Sequence, residues 1–225
     1  MRGFDRVEVP GSWEIEVTEG RFAVSVTVDD NLVDELRVER RGDALVFRLR
    51  DGIRLGRSTL RGTVSMPELS GVAVSGSGSI EFDGFRGGDL DLGVSGSGQI
   101  LGANCAAGKF RATVSGSGAV RLSSCTVIDA DLGISGSGTI ELMDGASCRG
   151  DRLSLRISGS GDADLSGCTF GNVDLALSGS GDASLLMSDG NLGGSISGSC
   201  SIRYSGDPLT VDVRTSGSGR VVKEG

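Results

Sequence analysis

Four cysteines stand at counted intervals: Cys105, Cys125, Cys148 and Cys168 are separated by 20, 23 and 20 residues, and Cys200 follows further on. Thiols that recur at one place in a repeat have three uses. They can lie buried as small hydrophobes, oxidise to bridges, or bind a metal. Zinc needs four donors converging on one point, whereas a column strings its donors along a line, so metal is the weakest of the three. Phe85, one interval before the first cysteine, and Ser188, one after the last, share the position, and a phenylalanine there points to an inward, apolar file. The leading expectation is a ladder of buried, unoxidised thiols. Bridges between neighbouring repeats are the alternative, since stacked strands lie about 4.8 Å apart, within the bridgeable Cα range. Cys200 leaves the count odd and replaces a glycine of its repeat.

Carboxylates recur with the same interval. Asp91, Arg111, Asp131, Ser154, Asp174, Gly193 and Asp212 form a row that alternates in sign early and turns acidic later, and Asp162, Asp164 and Asp182 make a second small group. A solvated face with Arg111 bridging two carboxylates is the plain expectation; a weak calcium site or a polysaccharide-cleaving groove is the functional one. Calcium needs six to eight oxygens around one point, which such a row supplies poorly. Serine is repeated too, but a nucleophile needs a neighbouring base, and the chain has no histidine. The Gly-Ser-Gly strings lack the Gly-Lys-Ser/Thr and following helix of a phosphate loop. A double row of hydroxyls has one further conceivable use, ordering water, although serine lacks the methyl that threonine would supply. No catalytic, cofactor-binding or metal-ligating residue is therefore assigned.

The elements that position these residues announce themselves by period. Ser-Gly-Ser-Gly or a near copy begins at Ser75, Ser95, Ser115, Ser135, Ser158, Ser178, Ser197 and Ser216. Flexible linkers would not hold such a count; stacked units would. Apolar residues keep register around each copy: Val74, Val94, Val114, Ile134, Ile157, Leu177 and Ile196 just before it, Ile80, Ile100, Val120 and Ile140 five residues after its first serine. Their spacing within a unit is even, the period of a strand, and helical spacing is nowhere sustained. The expected fold is an all-β, right-handed parallel β-helix of about eight coils, each of about 20 residues, roughly 40 Å long at the strand spacing. Each Ser-Gly string marks a narrow edge or corner where no larger side chain fits.

Residues 71–225 make this solenoid, and residues 1–70 read as an N-terminal β-rich cap packed on it. The cap has alternating strand patterns, a short helical turn in "DDNLVDEL" and a hairpin turn at Arg41 to Asp43. The charged "VKEG" end is expected to discourage strand pairing there.

Composition narrows the function. The net charge of −8, with only two lysines, argues against nucleic acid or an anionic membrane as partner. No apolar run is long enough to span a bilayer as a helix. The opening "MRGFDRVEV" lacks the apolar core of an export signal, so the residues alone leave a cytoplasmic location open.

The order "FDRVEVPGSWEIEVTEG", "DDNLVDELRVERRGDALVFRLRDG", "GTVSMPELSGVAVSGSGSIEF" and then glycine-rich repeats resembles the bacterial cell-envelope family called putative auto-transporter adhesin, head GIN domain. The resemblance covers nearly the whole chain. It implies an exported, β-helical protein of periplasmic or cell-surface location, without enzymatic function, cofactor or transferable site residue. The expected function is that of a non-catalytic adhesin-like binding or scaffold module, with a surface glycan or envelope protein as partner. A carbohydrate-active β-helix enzyme and a self-assembling homo-oligomer are the alternatives; the only sizeable insertion, Met143 to Asp151, is short for a catalytic cleft.

Overall fold

The computed structural model describes residues 2–50, 52, 58–143 and 148–224. Strands account for 72% of the chain and helix for 3%, so the class is all-β. Chain order begins with β1 (Arg6–Gly11), β2 (Glu14–Glu19) and β3 (Ala23–Val28), then a 3-10 turn over Asp30–Glu35. β4 (Leu36–Arg41), β5 (Ala44–Leu49) and β6 (Leu60–Met66) complete the N-terminal part. From there each coil has a strand running into a Ser-Gly corner and a strand leaving it. These are β7 (Gly71–Gly76) and β8 (Ser79–Asp83), β9 (Leu90–Gly96) and β10 (Gln99–Ala103), β11 (Ala106–Gly116) and β12 (Ala119–Ser123), and β13 (Thr126–Gly136) and β14 (Thr139–Met143). β15 (Arg149–Gly159) runs into the next corner, and β16 (Asp162–Gly179) both leaves it and enters the one after. β17 (Asp182–Met187), β18 (Asn191–Gly198), β19 (Ser201–Gly206), β20 (Thr210–Gly217) and β21 (Arg220–Lys223) finish the stack.

Coil-to-coil pairing is parallel, and the Ser-Gly corners keep register: Ser75, Ser95, Ser115 and Ser135 lie one above another, as do Ile80, Ile100, Val120 and Ile140. The stack amounts to about seven turns where eight were expected.

The corners explain the motif. Gly116 sits at φ +113°, and a Cβ there would lie 2.6 Å from the carbonyl oxygen of Gly96 in the coil before. Both the torsion and the close approach demand glycine. The strand thus ends at the first glycine and resumes two residues beyond the second serine. A second corner is turned by Gly84, Asn104 and Ser124, stacked at φ +87°, +52° and +54°. Between the corners the apolar files are sealed: Ile80, Ile100, Val120 and Ile140 have no exposed area, and no polar or charged residue is buried among the described residues. A dry interior of this kind is where the hydrophobic contribution accumulates, about 1.5–3 kcal/mol for each large side chain withdrawn from water.

Residues 1–70, expected as a cap, divide into two structural roles. β1 lies in register on β7 and β2 on β8, with Pro10 beside Ser75, Gly11 beside Gly76 and Ile15 beside Ile80, so these two strands continue the stack. β5 and β6 then pair parallel to β1 and β2, and β4 and β3 close them antiparallel. Trp13 occupies the place of a corner glycine at this lowest level, with its ring 5.7 Å from that of Phe47. The Arg41-Gly42-Asp43 stretch is the expected hairpin turn between β4 and β5, with Gly42 at φ +64°.

Candidate functional site

The cysteine file is oxidised. Cys105 is bonded to Cys125 and Cys148 to Cys168, with Cα atoms 4.5 and 4.7 Å apart, and Cys200 alone is free and buried. This corrects the expected ladder of unoxidised thiols in favour of its alternative. Parallel stacking holds the Cα atoms of both pairs inside the bridging range, so oxidation requires no displacement of the coils. Cys125 and Cys148 are not joined: the three-residue insertion lies between them, and pairing of β13 with β15 runs from Asp129 beside Arg152 onward. Ser188 does not continue the file either. Register slips between β16 and β17, Met187 pairs with Phe170, and the Ser188 amide donates to the Phe170 carbonyl beyond the cysteine level. Of the stretch Met143 to Asp151 that carries the insertion, residues 144–147 lie outside the described residues.

The charged row forms one lateral face. Arg6 on β1 reaches Asp91 on β9 at 3.2 Å, and Asp131 on β13 is held from both sides, by Arg111 at 3.5 Å and Arg156 at 3.0 Å. Arg111 was expected to bridge two carboxylates; it pairs with Asp131, and Asp131 is the bridged member. Beside them runs a shallow groove of about 440 Å³ lined by Arg6, Asp91, Lys109, Phe110, Arg111 and Asp131. Arg6 was missed in the sequence because it lies 85 residues from its partner. One signal was present, since "PGSWEI" at Pro10 to Ile15 is a worn copy of "SGSGSI" at Ser75 to Ile80 and marks the strand before it as part of a coil.

The second acidic group binds its own backbone. Asp162 accepts the Asp182 amide at 2.9 Å, Asp182 accepts the Ser201 amide at 3.1 Å, and Asp164 accepts the Ser166 amide and hydroxyl. Asp162 and Asp182 thereby link successive coils, Asp164 closes a local turn, and the three do not converge. Among the described residues no group of three or more His, Cys, Asp or Glu side chains is placed to hold a metal ion. The serines of the corners, Ser75 and Ser77 and their equivalents through Ser135 and Ser137, are exposed along one edge.

At the hairpin, Glu39 lies between Arg48 at 2.8 Å and Arg41 at 2.6 Å. Desolvation alone would push its carboxyl up; the hydrogen bonds and charges of the two arginines outweigh this and hold it below the usual carboxylate range. At the other end Lys223 sits 2.7 Å from Asp207, which lowers the aspartate and raises the lysine.

The family described as putative auto-transporter adhesin, head GIN domain, matches residues 3–208. The chain belongs to this family. Solved structures agree on the fold of this head GIN domain. A putative adhesin from Parabacteroides distasonis superposes with a TM-score of 0.90 over 100% of this chain and 94% of its own, at 21% identity. One from Parabacteroides merdae gives 0.86 over 99% and 93%, at 20% identity. A putative lipid binding protein from Parabacteroides distasonis gives 0.83 over 97% and 92%, at 25% identity. These neighbours are named as adhesins or lipid-binding proteins, not as enzymes. No curated protein matches the chain.

Proposed function

We propose that this head GIN domain is a non-catalytic binding or scaffold module of the bacterial envelope, held in the periplasm or at the cell surface, and that it takes a surface glycan on its lateral charged face. The observation that carries the reading is the row Arg6, Asp91, Arg111, Asp131 and Arg156 with the groove beside it. Donors and acceptors fixed on a rigid rod meet a repeating polymer at several points with little ordering cost on the protein side. Carboxylates engaged in ion pairs are poorly suited to proton transfer, which favours binding over cleavage. The two disulfides between coils suit an oxidising compartment. A lipid is less favoured as ligand, because the interior of the rod is filled by its own side chains.

A glycan array, run alongside an assay for newly formed reducing ends, tests the proposal. Binding that Arg111→Ala together with Asp131→Ala abolishes, without new reducing ends, is expected. Release of sugar ends would make the protein a carbohydrate-active enzyme instead, and binding indifferent to the double substitution would move the site off this face.

A further inference from the structure

The two ends of the rod are built differently. At the first, β3 to β6 fold over β1 and β2 and close the apolar interior with Leu32, Leu45 and Phe47, all buried. At the other, β20 pairs with β18 and β21 with β19, and among the described residues no strand pairs with their outer edges. Val211 and Val222 of this last coil are 46% and 43% exposed and Leu209 is 74% exposed. We propose that the free edge of β20 is the interface with a second copy of this chain, paired antiparallel about Val213.

Backbone parity leads to this register. The Ser218 amide donates to Gly198 in the coil before, and Gly217 stands beside Gly198. In a parallel ladder the N–H and C=O of alternate residues face opposite neighbours. Asp212, Arg214 and Ser216 therefore turn their backbone groups toward β18, while Val211, Val213 and Thr215 turn theirs to the open edge. Antiparallel pairing about Val213 sets Val213 against itself and Val211 against Thr215, and all of these are the residues whose N–H and C=O are free. Three consecutive hydrogen-bonded pairs form without disturbing any existing bond.

Side-chain charge selects the same register. Pairing about Val213 places Asp212 opposite Arg214 twice, once on each side of the two-fold axis, and these are the closely spaced, non-hydrogen-bonded pairs where side chains meet best. Centring one residue earlier would set Asp212 against Asp212, and one residue later Arg214 against Arg214. The inward Val213 side chains then meet over the open interior. The charges at the end of the chain, expected to discourage pairing, are matched by Lys223 with Asp207 inside the last coil and by Glu224 with Arg203 of the coil before at 3.8 Å. An isologous contact of this kind closes at two copies, because the edge of β20 is used by both.

Sedimentation of the 225-residue chain over a concentration series is the test, with Asp212→Arg, Arg214→Asp and the double exchange as variants and circular dichroism to verify that each retains its fold. A monomer–dimer equilibrium is expected for the parent. Each single substitution sets like charges face to face and weakens the dimer about tenfold or more, and the double exchange restores it to within about threefold. A parent that stays monomeric up to millimolar concentration overturns the proposal. So does a double variant no tighter than the singles, or growth into open-ended polymers, which would signify head-to-tail contact with the capped end.

Discussion

Glycines in this chain divide by what their missing Cβ would meet. Gly116 has a left-handed torsion and a carbonyl oxygen 2.6 Å from the Cβ position, whereas Gly93 has an ordinary torsion and nothing nearer than the Thr113 hydroxyl at 3.8 Å. The two substitutions should separate accordingly. Gly116→Ala is expected to cost on the order of 3 kcal/mol, from backbone strain together with separation of two coils. Gly93→Ala should fall within about 0.5 kcal/mol of the parent. Urea titrations of the two variants check this, and equal losses would mean that the corner glycines serve only as small residues. Sequence spacing was enough to mark Gly116 and its equivalents as tight corners, because a requirement repeated every 20 residues is visible in the letters. The arginine partner of Asp91 was not, because a contact between Arg6 and Asp91 exists only once the coils are wound.

At the scale of the elements, the disulfides pin adjacent coils at the second corner. Each closes a loop with a sequence separation of 20 residues, for which loss of loop entropy in the unfolded chain corresponds to about 3 kcal/mol. Denatured protein should expose one thiol without reductant and five with it. Cys105→Ser with Cys125→Ser should lower the stability of the middle of the rod by about that 3 kcal/mol. Five thiols titrating without reductant would restore the unbridged ladder. The periodic spacing identified this file, yet it served the apolar reading as readily as the oxidised one, because a buried thiol and a buried disulfide require the same position and nearly the same volume. The slip between β16 and β17 was illegible for a related reason: a coil of 19 residues keeps its motif and hides where the missing residue was removed.

For the whole molecule, stability is distributed along a line, since the strands of each coil pair only with those of the coils next to it. The described coil at the open end has one neighbour, exposes Val211 and Val222, and is tied by the Lys223 to Asp207 pair. Hydrogen exchange on dilute protein should find β20 and β21 the least protected strands and β11 to β14 among the most. The pair adds a sign to the pH dependence. Because the folded Asp207 carboxyl is lowered, its contribution is present above the unfolded value and lost as pH falls through the folded one. Because Lys223 is raised, its contribution is present below the unfolded value and lost as pH rises through the folded one. Protection of the last coil is thus expected to fade at both extremes, and uniform protection along the rod would indicate a single cooperative unit.

The amino-acid sequence determined that the chain is a stack, where its corners lie and which side chains form its interior files, because a repeating structure writes each of its steric demands eight times over. The tertiary structure decided which residues meet across windings: the bridging of the cysteines, the join of Arg6 to Asp91, the entry of β1 and β2 into the stack and the open edge at β20. Those contacts depend on how many residues each turn consumes and on what lies above and below it. No local run of letters contains that information, since neighbours along the axis of a solenoid are strangers along its chain.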